Sequence, residues 1–263
     1  MCPEQDGYVV SGCDLKVLAI IPARYASERF PGKVIASLAG KPLVVHTYEQ
    51  TIRARLVSET VVATDDERVV EAVAPYGVKT VMTRADHSTG TDRIAEVAEG
   101  SDADIIVNVQ ADEPLVEPSL IDATVRPLLE DPGLPMATAR HAIHDPALIA
   151  DPNCVKVVCD AKGRALYFSR SAIPFLRDAG HDPVTEPIYW QHIGLYVFRR
   201  EFLLEYAKMT PTPLERYEKL EQLRVLERGY KIAVVDAEAP CVGVDTPEDL
   251  ERAEKALEAR SLS

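Results

Sequence analysis

Cysteine, aromatic residues and positive charge are all scarce in this chain. Five cysteines (Cys2, Cys13, Cys154, Cys159 and Cys241) among 263 residues form an odd set with no C-x-x-C pair. Reduced thiols are therefore expected rather than a disulfide framework. His141-x-x-His144 falls near Cys154 and Cys159, but these residues are spread over several expected elements, and zinc is not expected. Twenty-nine Lys and Arg stand against 42 Asp and Glu, a net charge of −13. Phosphate tracks and anionic bilayers need clustered basic charge, so neither nucleic acid nor a membrane surface is an expected partner. The apolar run Val17 to Ile21 stops at Pro22 and follows Glu4, Asp6 and Asp14, which fits neither a signal peptide nor a membrane span. The expected location is the cytoplasm.

What is present is a globular composition, 46% hydrophobic and 27% charged. A chain of this length buries about three-quarters of its unfolded surface. After an N-terminal extension over 1–14, a single domain is expected over 15–263. Lys16 to Ile21, Thr60 to Ala63, Val78 to Met82 and Asp104 to Val109 read as strands. Between them, Pro42 to Leu56, Glu67 to Ala74 and Thr91 to Glu99 carry helical spacing, with Asp65 or Asp66 as a cap for the second. This alternation predicts an α/β fold with a mostly parallel sheet, whose ligands bind outside the carboxyl ends of the strands. Val155 to Val158 and Ala165 to Phe168 flank Asp160-Ala161-Lys162-Gly163, a hairpin signal. With the Pro-rich stretch Ile173 to Ile188 and a strand from Trp190 to Phe198, they suggest an inserted antiparallel lobe over about 155–196. A helix over Leu214 to Arg228, a strand over Lys231 to Val235 and a helix capped by Thr246 complete the expected order.

Phosphate-binding signatures of the common kinds are missing too. There is no G-x-G-x-x-G, and the Walker A spacing fails because Ser27 stands at its first Gly and Val34 follows Lys33. Instead the loop after the first strand, I-P-A-R-Y-A-S-E-R-F-P-G-K (residues 21 to 33), carries Arg24, Arg29 and Lys33 against Glu28 alone. Free loop amides and cationic side chains suit a triphosphate; a solvated basic loop is the other reading. Asp112 in V-N-V-Q-A-D-E-P (107 to 114) and Asp245 in G-V-D-T-P-E-D (243 to 249) each follow an apolar run. Two strand-end carboxylates suit Mg²⁺ with phosphate oxygens, while a turn and a helix cap account for them equally well in isolation. T-R-A-D-H-S-T-G-T-D-R (83 to 93) offers Arg84, Ser88 and backbone groups to a nucleobase edge.

Taken in order, these segments together with Y-F-S-R, H-I-G-L-Y and L-E-Q-L-R resemble the 3-deoxy-manno-octulosonate cytidylyltransferases, or CMP-Kdo synthetases. The resemblance runs from about Val17 to Leu257. It implies a Rossmann-like nucleotide-diphospho-sugar transferase fold with an antiparallel dimerisation lobe. It also implies transfer of CMP from CTP to the acidic sugar Kdo, for lipopolysaccharide assembly. By the same resemblance, Asp112 and Asp245 ligate Mg²⁺, while Ala23, Arg24 and Lys33 line the triphosphate. Arg84, Ser88 and Gly90 line the cytidine, and Gln110, Arg170, His192, Tyr196, Glu221 and Gln222 surround the sugar. A homodimer is implied, with Phe168, Phe175, Leu176, Tyr189 and Trp190 available to its interface. Ala111 departs from the family's usual Gly, which is expected to narrow the backbone near the metal.

Overall fold

Apolar and β-branched runs separated by helical patterns fold into one mixed sheet covered on both faces. The computed structural model describes residues 15–26, 30–177, 187–241 and 243–261. The expected extension 1–14, Arg29 of the basic loop and the 178–186 part of the Pro-rich stretch lie outside the described residues. In chain order the elements are β1 (Val17–Pro22), β2 (Ser37–Leu38), β3 (Lys41–Pro42), α1 (Leu43–Thr51), β4 (Glu59–Thr64), α2 (Glu67–Val73), β5 (Thr80–Met82), α3 (Gly90–Glu99) and β6 (Ile105–Asn108). There follow α4 (Pro118–Glu130), β7 (Met136–Ala142), α5 (Pro146–Ala150), β8 (Lys156–Cys159), β9 (Ala165–Ser169), β10 (Trp190–Arg199), α6 (Arg200–Tyr206), α7 (Pro213–Glu218), α8 (Gln222–Glu227), β11 (Ile232–Asp236) and α9 (Pro247–Ser261).

The main sheet runs β11-β7-β10-β6-β1-β4-β5, with β8 and β9 branching from β10. Along that path only β10 opposes the other strands, since its pairs with β6 and β7 are antiparallel and β11 is parallel to β7. The mostly parallel expectation therefore holds. The stretch 155–196 passes through β8 and β9 and ends within β10, whose last residues Tyr196 to Arg199 pair with β6 in the main sheet. From β1 the chain goes to β4 on one side and returns as β6 on the other. This reversal is a topological switch point, so the loops leaving β1 and β6 diverge and open a crevice.

Side-chain alternation gives the sheet two cores. Val17, Ala19 and Ile21 of β1 join one apolar cluster with Val107 and α4, while Leu18 and Ile20 join the other with Phe198 and Phe202. The expected hairpin forms because Gly163 takes φ 69° and Asp160 Oδ1 accepts from the amides of Lys162 and Arg164, at 2.8 and 2.9 Å. Helix α2 starts on Asp66, whose Oδ1 accepts from the Arg68 amide at 3.0 Å, and α9 starts on a reciprocal Thr246–Asp249 cap. No described helix is long and apolar enough to cross a membrane.

The structure corrects two expectations. Leu214 to Arg228 is not one helix: it breaks at Lys219, which takes the left-handed φ of 54°. Side chains capture the carbonyls at this corner. Arg170 Nε donates to the Glu218 carbonyl at 2.7 Å, and Tyr206 donates from its hydroxyl to the Glu221 carbonyl at 2.8 Å. Of the five residues offered to an interface, Phe168 and Tyr189 are buried in their own chain, because each faces an internal cluster. Phe175 is 89% exposed. The pattern of α4 and β7 was not singled out in the sequence at all.

Lys156 is buried completely and makes no direct ion pair among the described residues; its ammonium donates to the carbonyls of Asp151, Cys154 and Arg170 at 2.9, 2.6 and 2.8 Å. It staples the 151–154 turn to the end of β9. Lys156→Met removes one desolvated charge but orphans three carbonyls, and is expected to cost about 2–3 kcal/mol in urea unfolding. An unchanged unfolding midpoint would show that water satisfies those carbonyls.

Candidate active site

Three side chains from distant parts of the sequence meet at the switch point. The loop after β1 is closed by the Gly32 amide, which donates to the Tyr25 carbonyl at 2.9 Å. Gly32 takes φ 72°, and a Cβ there would sit 3.4 Å from the Tyr25 ring, so the turn suits glycine. It delivers Lys33 into the crevice with only 8% of its surface exposed. Lys33 Nζ donates to Asp112 Oδ2 at 2.7 Å and to Asp245 Oδ1 at 2.9 Å. The two acids are joined through the backbone as well, since the Val244 amide donates to the Asp112 carbonyl at 2.9 Å. Burial pulls the Lys33 ammonium down, but Asp112 and Asp245 outweigh it and its net shift is upward. Lys33 therefore stays charged.

Glu113 stands beside this group and was not singled out from the sequence. Burial, reinforced by Asp112 and Asp245, pushes its carboxyl up to about 8. Its Oε2 is buried without a hydrogen-bond partner among the described residues. At neutral pH the carboxyl is mostly protonated, which leaves the neighbouring aspartates as the site's anions. Ala111, the departure from the family pattern, places its methyl in the core under β6, and its carbonyl accepts from Thr47 Oγ1 at 3.1 Å. Ala23 is wholly buried in the core and its amide is taken up by the Ala63 carbonyl at 2.8 Å, so it offers no amide to a phosphate.

A cleft of about 230 Å³ takes in Arg24, Lys33, Gln110 and Asp112. Next to it lies a cavity of about 270 Å³ lined by Gly90, Thr91, Gln110, Tyr196, Glu221 and Gln222 among others. Gln110 borders both. Its approach is eased by Gly194 at the bulge in β10, where a Cβ would lie 3.7 Å from Gln110 Cγ. Thr91 Oγ1 donates to Glu221 Oε2 at 2.7 Å, and burial pushes the Glu221 carboxyl upward. Tyr196 donates from its hydroxyl to Gln222 Oε1 at 3.4 Å.

His192 and Arg170 lie behind this lining rather than in it. The His192 ring packs edge-on against Phe168 at 4.9 Å, with Nε2 2.9 Å from Thr138 Oγ1 and Nδ1 3.5 Å from Gln222 Nε2. Arg170 donates to the carbonyls of Pro152 and Glu218 at 2.9 and 2.7 Å, and more distantly to that of Lys219. It thus fixes the corner between α7 and α8 that carries Lys219, Glu221 and Gln222. Lys219 lines the cavity, and nothing in the sequence marked it. Arg84 and Ser88 border a separate groove of about 470 Å³ on the outer side of α3, while Gly90 belongs to the cavity.

Burial alone pulls His192 down to about 3 from 6.5. Below pH 6.5 the unfolded chain takes up a proton that the folded chain refuses, so this contribution to stability is full above pH 6.5 and drains away towards about pH 3. Its slope approaches about 1.4 kcal/mol per pH unit. His192→Gln keeps polar atoms at the site and should flatten the fall in unfolding free energy between pH 6.5 and 4.5, measured by urea titration. Identical slopes in both proteins would place the acid sensitivity elsewhere.

A family model described as Cytidylyltransferase matches residues 18–232. A 3-deoxy-manno-octulosonate cytidylyltransferase of Geobacter metallireducens is 55% identical over 92% of this chain and 98% of its own. Its counterpart in Solibacter usitatus is 52% identical over 94% and 96%. The solved structure of a CMP:2-keto-3-deoxy-manno-octonic acid synthetase complexed with CTP superimposes with a TM-score of 0.87 at 42% identity, covering 94% of this chain and 99% of that one. A cytidylyltransferase of Leptospira borgpetersenii, at 18% identity and a TM-score of 0.61, shares the fold. With a buried lysine between Asp112 and Asp245 and relatives matched over nearly their whole length, the chain belongs to the cytidylyltransferase family, among the 3-deoxy-manno-octulosonate cytidylyltransferases.

Proposed function

We propose that the protein transfers CMP from CTP to Kdo and releases pyrophosphate. The observation that carries this reading is the meeting of Lys33, Asp112 and Asp245 beside a polar cavity that Gln110 shares. In the reaction the anomeric hydroxyl of the sugar attacks the α-phosphorus, a new P–O bond forms, and the bond to the bridging oxygen of pyrophosphate breaks. The hydroxyl proton leaves to solvent or a nearby base. Such a displacement needs in-line positioning and charge neutralisation more than a covalent intermediate. Lys33 and Arg24 hold the triphosphate in this reading, with the loop carrying Arg84, Ser88 and Gly90 at the cytidine. Gln110, Tyr196, Glu221 and Gln222 meet the sugar hydroxyls. His192 and Arg170 support that wall from behind, His192 as a neutral ring against Gln222.

A Mg²⁺ ion fits the same residues. Asp112 and Asp245 turn carboxylate oxygens on one point, where they meet the Lys33 ammonium, and two carboxylates with phosphate oxygens are a donor set that Mg²⁺ takes. Asp112 and Asp245 would hold the ion, which when bound offsets negative charge developing on the phosphates. The activity belongs in the cytoplasm, activating Kdo for lipopolysaccharide assembly. The test is pyrophosphate release in the presence of Mg²⁺ from CTP with Kdo or with a sialic acid. Release that depends on Kdo supports the reading, and faster release with sialic acid overturns it.

Asp112→Asn and Asp245→Asn should each lower kcat by at least about a hundredfold, since a strong electrostatic partner in the transition state is worth roughly 3 kcal/mol. Lys33→Ala should impair CTP far more than CMP, as read from KM for CTP and Kd for CMP; equal losses would move the ammonium away from the outgoing phosphates. The protein should also be a two-fold dimer through the region of β9 and Phe175. Leu166 and Phe175 are 61% and 89% exposed there, and apolar residues of this kind form interface cores. Light scattering should give twice 28.9 kDa, and Phe175→Asp should shift the mass towards the monomer; a monomeric parent rejects the assembly.

A further inference from the structure

The segment between β5 and α3, which the functional reading places at the cytidine, is held in shape by a carboxylate that does not line the cleft or the cavity. Glu96, in the second turn of α3, accepts on Oε2 from the Arg84 amide at 3.2 Å and from His87 Nε2. One acid therefore binds the segment at two points, and the paired His87 depresses its carboxyl further below the ordinary range. The His87 side chain is 6% exposed and that of Glu96 32%, so the imidazole is shielded while the carboxylate still meets water on one edge. The His87 carbonyl then accepts from Arg24 Nη2, which comes from the loop after β1. Gly90, the first residue of α3, also lies close to Pro22 at the end of β1, since a Cβ added to it would stand 3.6 Å from the proline ring. From α3 to the basic loop there is thus one continuous set of contacts: Glu96, His87, Arg24.

We infer that Glu96 and His87 are positioning residues that set the nucleotide pocket, fixing the cytidine segment against the triphosphate-binding Arg24. This rests on the proposed cytidylyltransferase function. The alternatives for Glu96 are a solvated face of α3 or a cap that serves folding alone. A solvated carboxylate would not take both an amide and a shielded imidazole. A folding role predicts loss of stability without loss of discrimination between nucleotides. The positioning role predicts that removing the carboxylate frees Arg84, His87 and Arg24 together, which weakens CTP and leaves the sugar cavity intact.

The experiment compares Glu96→Ala, Glu96→Gln, His87→Ala and Glu99→Gln with the parent in pyrophosphate release, varying CTP, UTP and Kdo, alongside thermal unfolding. Losing hydrogen bonds to a charged group should raise KM for CTP at least about tenfold in Glu96→Ala and His87→Ala. The ratio of kcat/KM for CTP over UTP should fall, with KM for Kdo and kcat at saturating CTP within about twofold of the parent. Glu96→Gln, which keeps an acceptor oxygen, should recover most of the CTP affinity, and Glu99→Gln on the same groove should match the parent. Unchanged KM for CTP in a folded variant, or equal increases for CTP and Kdo, overturns the inference. Should Glu96→Ala unfold, His87→Ala and Glu96→Gln decide it on the same readouts. If the parent releases no pyrophosphate from CTP and Kdo, the functional reading fails by itself. Direct titration of CTP into parent and variants then decides the positioning role, and equal Kd values overturn it.

Discussion

The site depends on one ammonium held between two carboxylates that lie 79 and 212 residues away from it in the chain. The buried ammonium would be costly to desolvate alone, whereas the two carboxylates keep 32% and 47% of their side chains exposed. Together they stabilise one another, and the Val244 amide bonded to the Asp112 carbonyl fixes their separation. The C-terminal segment is tied to the catalytic crevice by the same contact. Helix α9 reinforces it by packing Leu250, Ala253 and Leu257 against Leu38 and Leu43, next to the turn that carries Lys33.

Around this charged centre the surrounding titratable groups are biased towards neutrality. Burial pushes the Glu113 and Glu221 carboxyls upward and the His192 imidazole downward. A wall whose carboxyls are shifted upward by burial suits an acidic sugar and a polyphosphate, since further fixed anions would repel both. Among the described residues, Lys33 and Arg24 are the basic side chains that line the cleft itself. An acidic protein can bind an anionic nucleotide in this way because its basic groups are local, not general.

The wall of the sugar cavity is itself built by side chains clamping backbone. Arg170 and Tyr206 bond carbonyls at the α7–α8 corner, and the buried Arg224 pairs with Glu215 across it at 2.8 Å. A continuous helix would have placed Glu221 and Gln222 one face further round. The break at Lys219 aims them into the cavity. Arg170 thus shapes the cavity wall by holding backbone carbonyls, a place quite different from the carboxylate partner that the resemblance implies.

Much of the molecule was legible beforehand. Strand and helix periodicity located β1, β4, β5, β6, the hairpin and β10, because these elements bury alternating or continuous apolar faces that local sequence must encode. The charge inversion at 21 to 33 and the position of Asp112 just past β6 pointed to the crevice for the same local reason, whereas Asp245 follows no strand and sits in the loop before α9. Cavity membership was not local. That Lys33 would sit between the two aspartates depends on a bond between Val244 and Asp112, which no spacing reveals. Glu113, Glu96 and Lys219 carried no signal because their roles come from neighbours packed in from other elements. The sequence by itself determined the element types, the strand-end chemistry and the family, since these follow from residue type and order. Only the tertiary structure decided which polar groups are desolvated together, and desolvation is what turns an ordinary carboxylate, imidazole or ammonium into part of a site.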